Sequence, residues 1–203
     1  LNAVEANEMP EGSWRYRGNT EFVSPSKRTE IKIEFSGNNR QKVMYRKQLA
    51  AMLLDYAERC GVKLLFERTV LGPIIEGGKV VGIKTDEGEV FGDLVIDAAG
   101  VFSPVRENLP ASFEIENIPQ RGDVFYAYRA YFVKVGSAAP AYPFEVYLYH
   151  EREQGLSWFL TNDDNIDILI GRIDPLTDKK IAEQLAIFKK DHPFLGDNIV
   201  SGG

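Results

Sequence analysis

The sequence has a single cysteine, Cys60, and two histidines, His150 and His192. One cysteine excludes an internal disulfide and leaves no ligand set for a cysteine-bound iron–sulfur centre. It fits a reducing compartment, so a cytoplasmic protein is expected. The histidines lie 42 positions apart, outside any metal-ligand spacing, and a lone histidine on an aromatic strand reads as structural. Asp163, Asp164 and Asp167 lack the glycine and closing glutamate of a calcium loop and read as a solvated hairpin tip. No metal site is expected. Apolar runs stop well short of the roughly 20 residues of a membrane span, and no secretory leader is visible. Positive charge is also short, with 24 Lys and Arg against 30 Asp and Glu and a net charge of −6. No basic stripe occurs, which argues against nucleic acid and against a strongly anionic membrane as a bulk partner. Peripheral membrane contact stays open. A GxGxxG phosphate-binding fingerprint is missing as well.

What is present is a globular composition, 44% hydrophobic and 27% charged over 203 residues, enough for a sizeable core. The chain opens on Leu1 and closes on Ser201-Gly202-Gly203, which predicts a piece of a longer protein. The first dozen residues are polar and read as frayed. RTEIKIEF (28–35) alternates as a half-buried strand, and GNN (37–39) signals a turn. RKQLAAMLLDYAERC (46–60) has the helical i, i+3, i+4 pattern, with Cys60 on its apolar face and read as core. VKLLF (62–66) reads as a buried strand. TVLGPIIE (69–76) and KVVGIKT (79–85) flank Gly77-Gly78 as a hairpin, and Glu87-Gly88 makes a second turn. DVFYAYRAYFVKV (123–135), PFEVYLYHE (143–151), GLSWFL (155–160) and IDILIGRI (166–173) read as strands. A last helix, DKKIAEQLAIFKKDH, starts after a cap at Thr177 or Asp174. A soft boundary is placed between Pro110 and Gln120.

DLVIDAAGVFSPVR (93–106) carries the strongest functional signal. A buried strand ends in Ala98-Ala99-Gly100 and enters a turn, the position at which α/β sheets bind ligands. Glycine there permits close approach of a phosphate or ribose; a tight packing crossover would also account for it.

The order Arg46, Leu49, Leu53, Gly61-Val62, Thr69-Val70, the Gly-Gly hairpin with Val81-Gly82-Ile83, and then VIDAAGVFSPVR resembles FAD-dependent oxidoreductases of the p-hydroxybenzoate hydroxylase fold. The likeness is greatest to their geranylgeranyl reductase branch. It is dense over residues 43–106 and looser over GLSWFLTNDDNIDILIG, where Leu160-Thr161 departs from the usual pair. The missing GxGxxG belongs near the family's N-terminus, and its Gly-Asp motif belongs after Gly203.

The resemblance implies an α+β or α/β chain with two portions. Residues 1–110 would be the central part of a three-layer FAD/NAD(P)-binding domain. Residues 111–203 would form a mixed, mostly antiparallel β-sheet substrate portion with flanking helices. It implies FAD in the complete protein, possible use of NAD(P)H or an electron-donor protein, and hydride transfer through flavin N5 with a small apolar, isoprenoid-like substrate. Ala99 stands where hydroxylases carry Asp, which favours a reductase. A flavin monooxygenase, a quinone-linked dehydrogenase and a non-catalytic apolar-ligand module are the alternatives.

The cofactor candidates are Arg46, Val70, Ala99, Gly100 and Arg106. A cation opening a helix is disfavoured by the macrodipole unless an anion sits nearby, so Arg46 is a cofactor contact or a solvated arginine. Val70 marks a backbone position or an ordinary strand residue. Arg106 reaches a phosphate or lies on the surface, and Ser103 caps the short helix beginning at Pro104. Residues 122–159 hold 11 of the 23 aromatic residues. Tyr126, Tyr128 and Phe132 alternate against Phe125 and Tyr131, so both faces of that strand carry rings. One face is expected on a helix and the other against an apolar ligand. Tyr126, Tyr128 and Trp158 are the substrate candidates, with core packing as the competing account.

Overall fold

The computed structural model describes residues 14–16, 18–36, 42–44 and 46–202. They divide into two compact units, one of residues up to Asp55 with Phe125 onward, the other Tyr56–Val124.

The first unit is built on a seven-stranded sheet. Its strands are β2 (Thr20–Val23), β3 (Glu30–Ile33), β8 (Tyr126–Lys134), β9 (Phe144–Leu148), β10 (Gly155–Thr161), β11 (Asn165–Arg172) and β12 (Leu195–Gly202), in the order β12-β8-β11-β10-β9-β2-β3. All neighbours are antiparallel except β2 and β9. The short strands β1 (Trp14–Tyr16) and β4 (Lys42–Met44) pair separately. Aromatic and β-branched residues at alternate positions suit such a pleated surface. One face carries Ala130, Phe132, Tyr147, Phe159, Ile166, Ile168 and Ile170, all buried. The helix α3 (Asp178–Asp191) covers that face, inserting Phe188 and packing Ile181 and Leu185. Thr177 is its cap, its hydroxyl accepting from Lys180 N at 3.3 Å.

The second unit contains an antiparallel sheet of β5 (Val70–Glu76), β6 (Lys79–Thr85) and β7 (Gly88–Phe91) and the single turn α2 (Pro104–Glu107). Gly77 and Gly78 both have positive φ, 56° and 76°, as a two-residue hairpin requires. At Gly82 a Cβ would lie 2.3 Å from Val90 O, so only glycine lets β7 cross there. The helix α1 (Arg46–Arg59) falls across the division and buries none of its residues.

Several expectations change. The compact units do not follow the expected portions 1–110 and 111–203, because β2 pairs with β9 more than 120 positions away and carries the early chain into the later sheet. The strand at 28–35 is β3, shorter and fully exposed, because it is an edge with a partner on one side only. Residues 62–66 and 93–100 belong to no sheet. A strand needs a hydrogen-bonded neighbour, and among the described residues neither has one; Phe66, Leu94 and Ile96 are accordingly exposed. Cys60 is exposed rather than core, since α1 keeps its apolar stripe unburied. Residues 1–13 and the turn at 37–39 lie outside the described residues.

Candidate functional site

The segment after β7 folds into a turn that side chains hold from within. Asp97 Oδ1 accepts from Ala99 N at 3.1 Å, and Oδ2 accepts from Ser103 Oγ at 2.5 Å. The same oxygen of Ser103, a residue 1% exposed, accepts from Val105 N and Arg106 N and so caps α2. Pro104 takes the first helical position, where a missing N–H costs nothing. The Ser103 hydroxyl and then the Ala99 amide hold the Asp97 carboxyl below the usual carboxylate range. Arg106 folds back over the turn, Nη1 donating to Gly100 O at 3.4 Å and Nη2 to Val101 O.

This turn brings Ala99, Gly100 and Arg106 together. Gly100 has φ 90°, and nothing lies within 4 Å of where its Cβ would be. The chain itself therefore does not crowd this glycine; the backbone needs it for a left-handed conformation and leaves an open face beside it. Arg106 is engaged with the turn's own carbonyls, yet its Nε is buried without a partner. Val70 opens β5, which packs on α2 within the same unit, paired with Thr85. Arg46 is the exposed first residue of α1 and belongs to the other unit.

The substrate candidates separate. Cross-strand register puts Tyr126 and Tyr128 beside Arg172 and Ile170, on the face that α3 covers. There they line a cleft of about 490 Å³ with Leu176, Ile181 and Leu185. Trp158 pairs with Val146 and Leu169 on the opposite face. One wall cannot hold all three.

On the Trp158 face sits an ion pair that the sequence reading missed. Arg129 grips Asp167 with two parallel hydrogen bonds, Nε to Oδ1 at 3.0 Å and Nη2 to Oδ2 at 2.8 Å. The Asp167 side chain is 3% exposed and that of Arg129 43%. The guanidinium stands 5.2 Å from the Trp158 ring centroid and 5.4 Å from that of Tyr131. Trp158 Nε1 points at Asp167 Oδ1, 3.5 Å away. Asp167 is thus a buried strand residue; only Asp163 and Asp164 occupy the exposed hairpin tip. A lone acid inside the apolar run of IDILIG was the available signal.

Two further polar groups lie under α3. His150, Gln184, Arg172 and Ser157 form one chain of hydrogen bonds. Tyr147 donates to Glu145, whose Oε2 lies 3.4 Å from His192 Nε2. Burial pushes Glu145 up to about 7 and both histidines down to about 4. Among the described residues no cluster of His, Cys, Asp and Glu could hold a metal ion. None of their helices is long and apolar enough to cross a membrane.

The turn thus leaves open space at a left-handed glycine beside a capped helix end and an arginine. A sequence model described as FAD dependent oxidoreductase matches residues 12–194, and the chain belongs to that family. It is 41% identical over 58 residues to a digeranylgeranylglycerophospholipid reductase of Haloferax volcanii, a match covering 28% of this chain and 14% of that protein. It is 34% identical over 61 residues to a D-amino acid dehydrogenase of Agrobacterium fabrum, 30% of this chain and 14% of the other. The fold matches a geranylgeranyl bacteriochlorophyll reductase-like protein of Thermoplasma acidophilum at TM-score 0.77 and 22% identity, over 98% of this chain and 52% of that one. A tryptophan 6-halogenase of Streptomyces toxytricini shares the fold at TM-score 0.64 and 15% identity, over all of this chain and 51% of the other. The chain thus spans about half the length of these solved structures.

Proposed function

We propose that this chain supplies part of the cofactor site and the substrate-facing sheet of an FAD-dependent reductase acting on an apolar, isoprenoid-like molecule. The observation that carries the reading is the open turn at Gly100. The described residues suit the cofactor, because Gly100 leaves its backbone bare and Arg106 keeps a buried, unpartnered N–H beside it. FAD would supply hydride transfer at N5. Ala99, Gly100 and Arg106 would receive it in the turn, with Val70 as a further contact in the same unit. Trp158 is assigned to the substrate, on the face that α3 leaves uncovered; Tyr126 and Tyr128 face the α3 cleft instead. Likeness to a reductase of a geranylgeranyl lipid favours an apolar substrate. NAD(P)H or a protein donor would provide electrons, and a reducing compartment such as the cytoplasm would suit the lone cysteine.

The amino acid dehydrogenase likeness supplies a second reading, amine oxidation. An amino acid needs a free cation for its carboxylate, and Arg129 already spends its paired edge on Asp167. The test is an absorbance spectrum between about 350 and 550 nm of the protein with its native flanking sequence, followed by anaerobic titration with a reduced donor and a polyene. Twin flavin bands, bleached on reduction and restored by the polyene, are expected. A colourless protein that ignores added FAD overturns the proposal, and reoxidation only after reduction by D-amino acids selects the second reading.

A further inference from the structure

We propose that Asp167 is a positioning residue that sets the charge preference of the substrate face: by taking the Nε–Nη2 edge of Arg129 and cancelling its charge, it keeps the Trp158 surface neutral and selects an uncharged apolar chain over a carboxylate-bearing one. This rests on the assignment of the Trp158 face to substrate.

The geometry carries it. An acid at the centre of a strand, flanked by Ile166 and Ile168 facing the other way, has no packing reason to be there. It is nearly sealed from solvent, and its compensation is one fork-to-fork contact with Arg129. Arg129 itself is more than one-third exposed on that face. Were it unpaired, a guanidinium lying over Trp158 and Tyr131 would be an excellent carboxylate receptor. Asp167 cancels that charge while its Oδ1 also faces the indole N–H, so one side chain both neutralises the arginine and orients the ring. What the face offers is a half-buried indole with half-buried Leu169 beside it, backed by the buried Phe144 ring, 6.0 Å away, and by buried Val146.

The experiment is calorimetric titration of the flavin-loaded protein with 1-decanol and with decanoate, which share a tail and differ in charge. The wild type is expected to favour the alcohol. Asp167→Asn keeps the shape, leaves Arg129 unneutralised, and is expected to move the affinity ratio toward decanoate by about tenfold or more. Arg129→Gln in that background is expected to remove the gain. Asp167→Ser is run alongside in case Asp167→Asn misfolds. An unchanged ratio in a folded variant, a gain that persists without Arg129, or a wild type that binds neither ligand overturns the proposal. The flavin bands are read separately in each sample, so loss of colour with the ligand preference intact counts against the flavoenzyme reading and not against Asp167.

Discussion

Arg172 donates to Gln184 beneath α3, Nη2 to Oε1 at 2.6 Å. The amide's other end donates to His150 Nδ1 at 2.7 Å, which keeps the histidine proton on Nε2. Arg172 is 3% exposed and, among the described residues, faces no carboxylate within ion-pair distance. Its charge is held by neutral acceptors, Gln184, Ser157 and the carbonyls of His150 and Gly171. Gln184→Leu would strand a buried cation and a buried imidazole together. We expect a loss of about 2–3 kcal/mol in urea unfolding. A loss below about 0.5 kcal/mol would show that the chain of hydrogen bonds adds nothing.

Stability should peak near neutral pH for a reason visible in two opposed groups. Burial lowers His150 and His192 to about 4, so between the ordinary 6.5 and 4 the unfolded chain binds protons that the native one refuses. That stability is lost as pH falls. Glu145, raised to about 7 by burial, does the reverse: the native state holds a proton that the unfolded chain releases above 4.5. Its contribution is lost as pH rises through 7. Two histidines against one glutamate leave about one proton, a slope near 1.4 kcal/mol per pH unit between about pH 4.5 and 6.5. Unfolding midpoints across pH 4.5–8 should rise and then fall slightly. Replacing both histidines by Gln should reverse the acid limb, and Glu145→Gln should flatten the neutral one.

The tight turn after β9 stores backbone strain. Tyr149, Glu151 and Arg152 all have left-handed φ, 48°, 54° and 64°, and none is glycine. Such residues cost about 1–2 kcal/mol each. Arg152 is exposed, so Arg152→Gly is expected to stabilise by about 0.5–1 kcal/mol after the entropy that glycine adds to the unfolded chain. A fall in the unfolding midpoint would mean that the Arg152 side chain outweighs its backbone.

Local pattern made the two long helices readable, because i, i+3, i+4 spacing and a Thr cap act within a few residues. The same holds for the Gly77-Gly78 hairpin and for the alternation of Tyr126, Tyr128 and Phe132 against Phe125 and Tyr131, which the register reproduces. Pairing was not readable. Val62–Phe66 and Leu94–Ile96 have the composition of buried strands, but pairing depends on a partner elsewhere in the chain. The β2–β9 pairing, which joins the early chain to the later sheet, was hidden for the same reason. The Arg129–Asp167 contact joins neighbouring strands 38 positions apart, and only the β8–β11 register makes them meet. Trp158 and Tyr128 looked equivalent as aromatic strand residues; the sheet puts one on each side.

The glycine of the turn separates two physical explanations that one substitution alone would confuse. With φ at 90° and open space at the Cβ position, Gly100→Val meets backbone strain and no clash with the chain. It should abolish flavin retention through gel filtration, but a distorted turn would do the same. Gly100→Asn resolves the matter, because asparagine tolerates left-handed backbone at small cost and still fills the open face. If a dinucleotide lies against Gly100, the Asn variant keeps its unfolding midpoint within about 1 kcal/mol of wild type and loses flavin. If the glycine serves only its own φ, the Asn variant keeps both. Ser103→Ala completes the comparison: it removes the cap and the Asp97 contact, costing about 1–2 kcal/mol, and leaves Gly100 bare. Flavin affinity should fall there in step with the loosened turn, whereas in Gly100→Asn it should fall without any loss of stability.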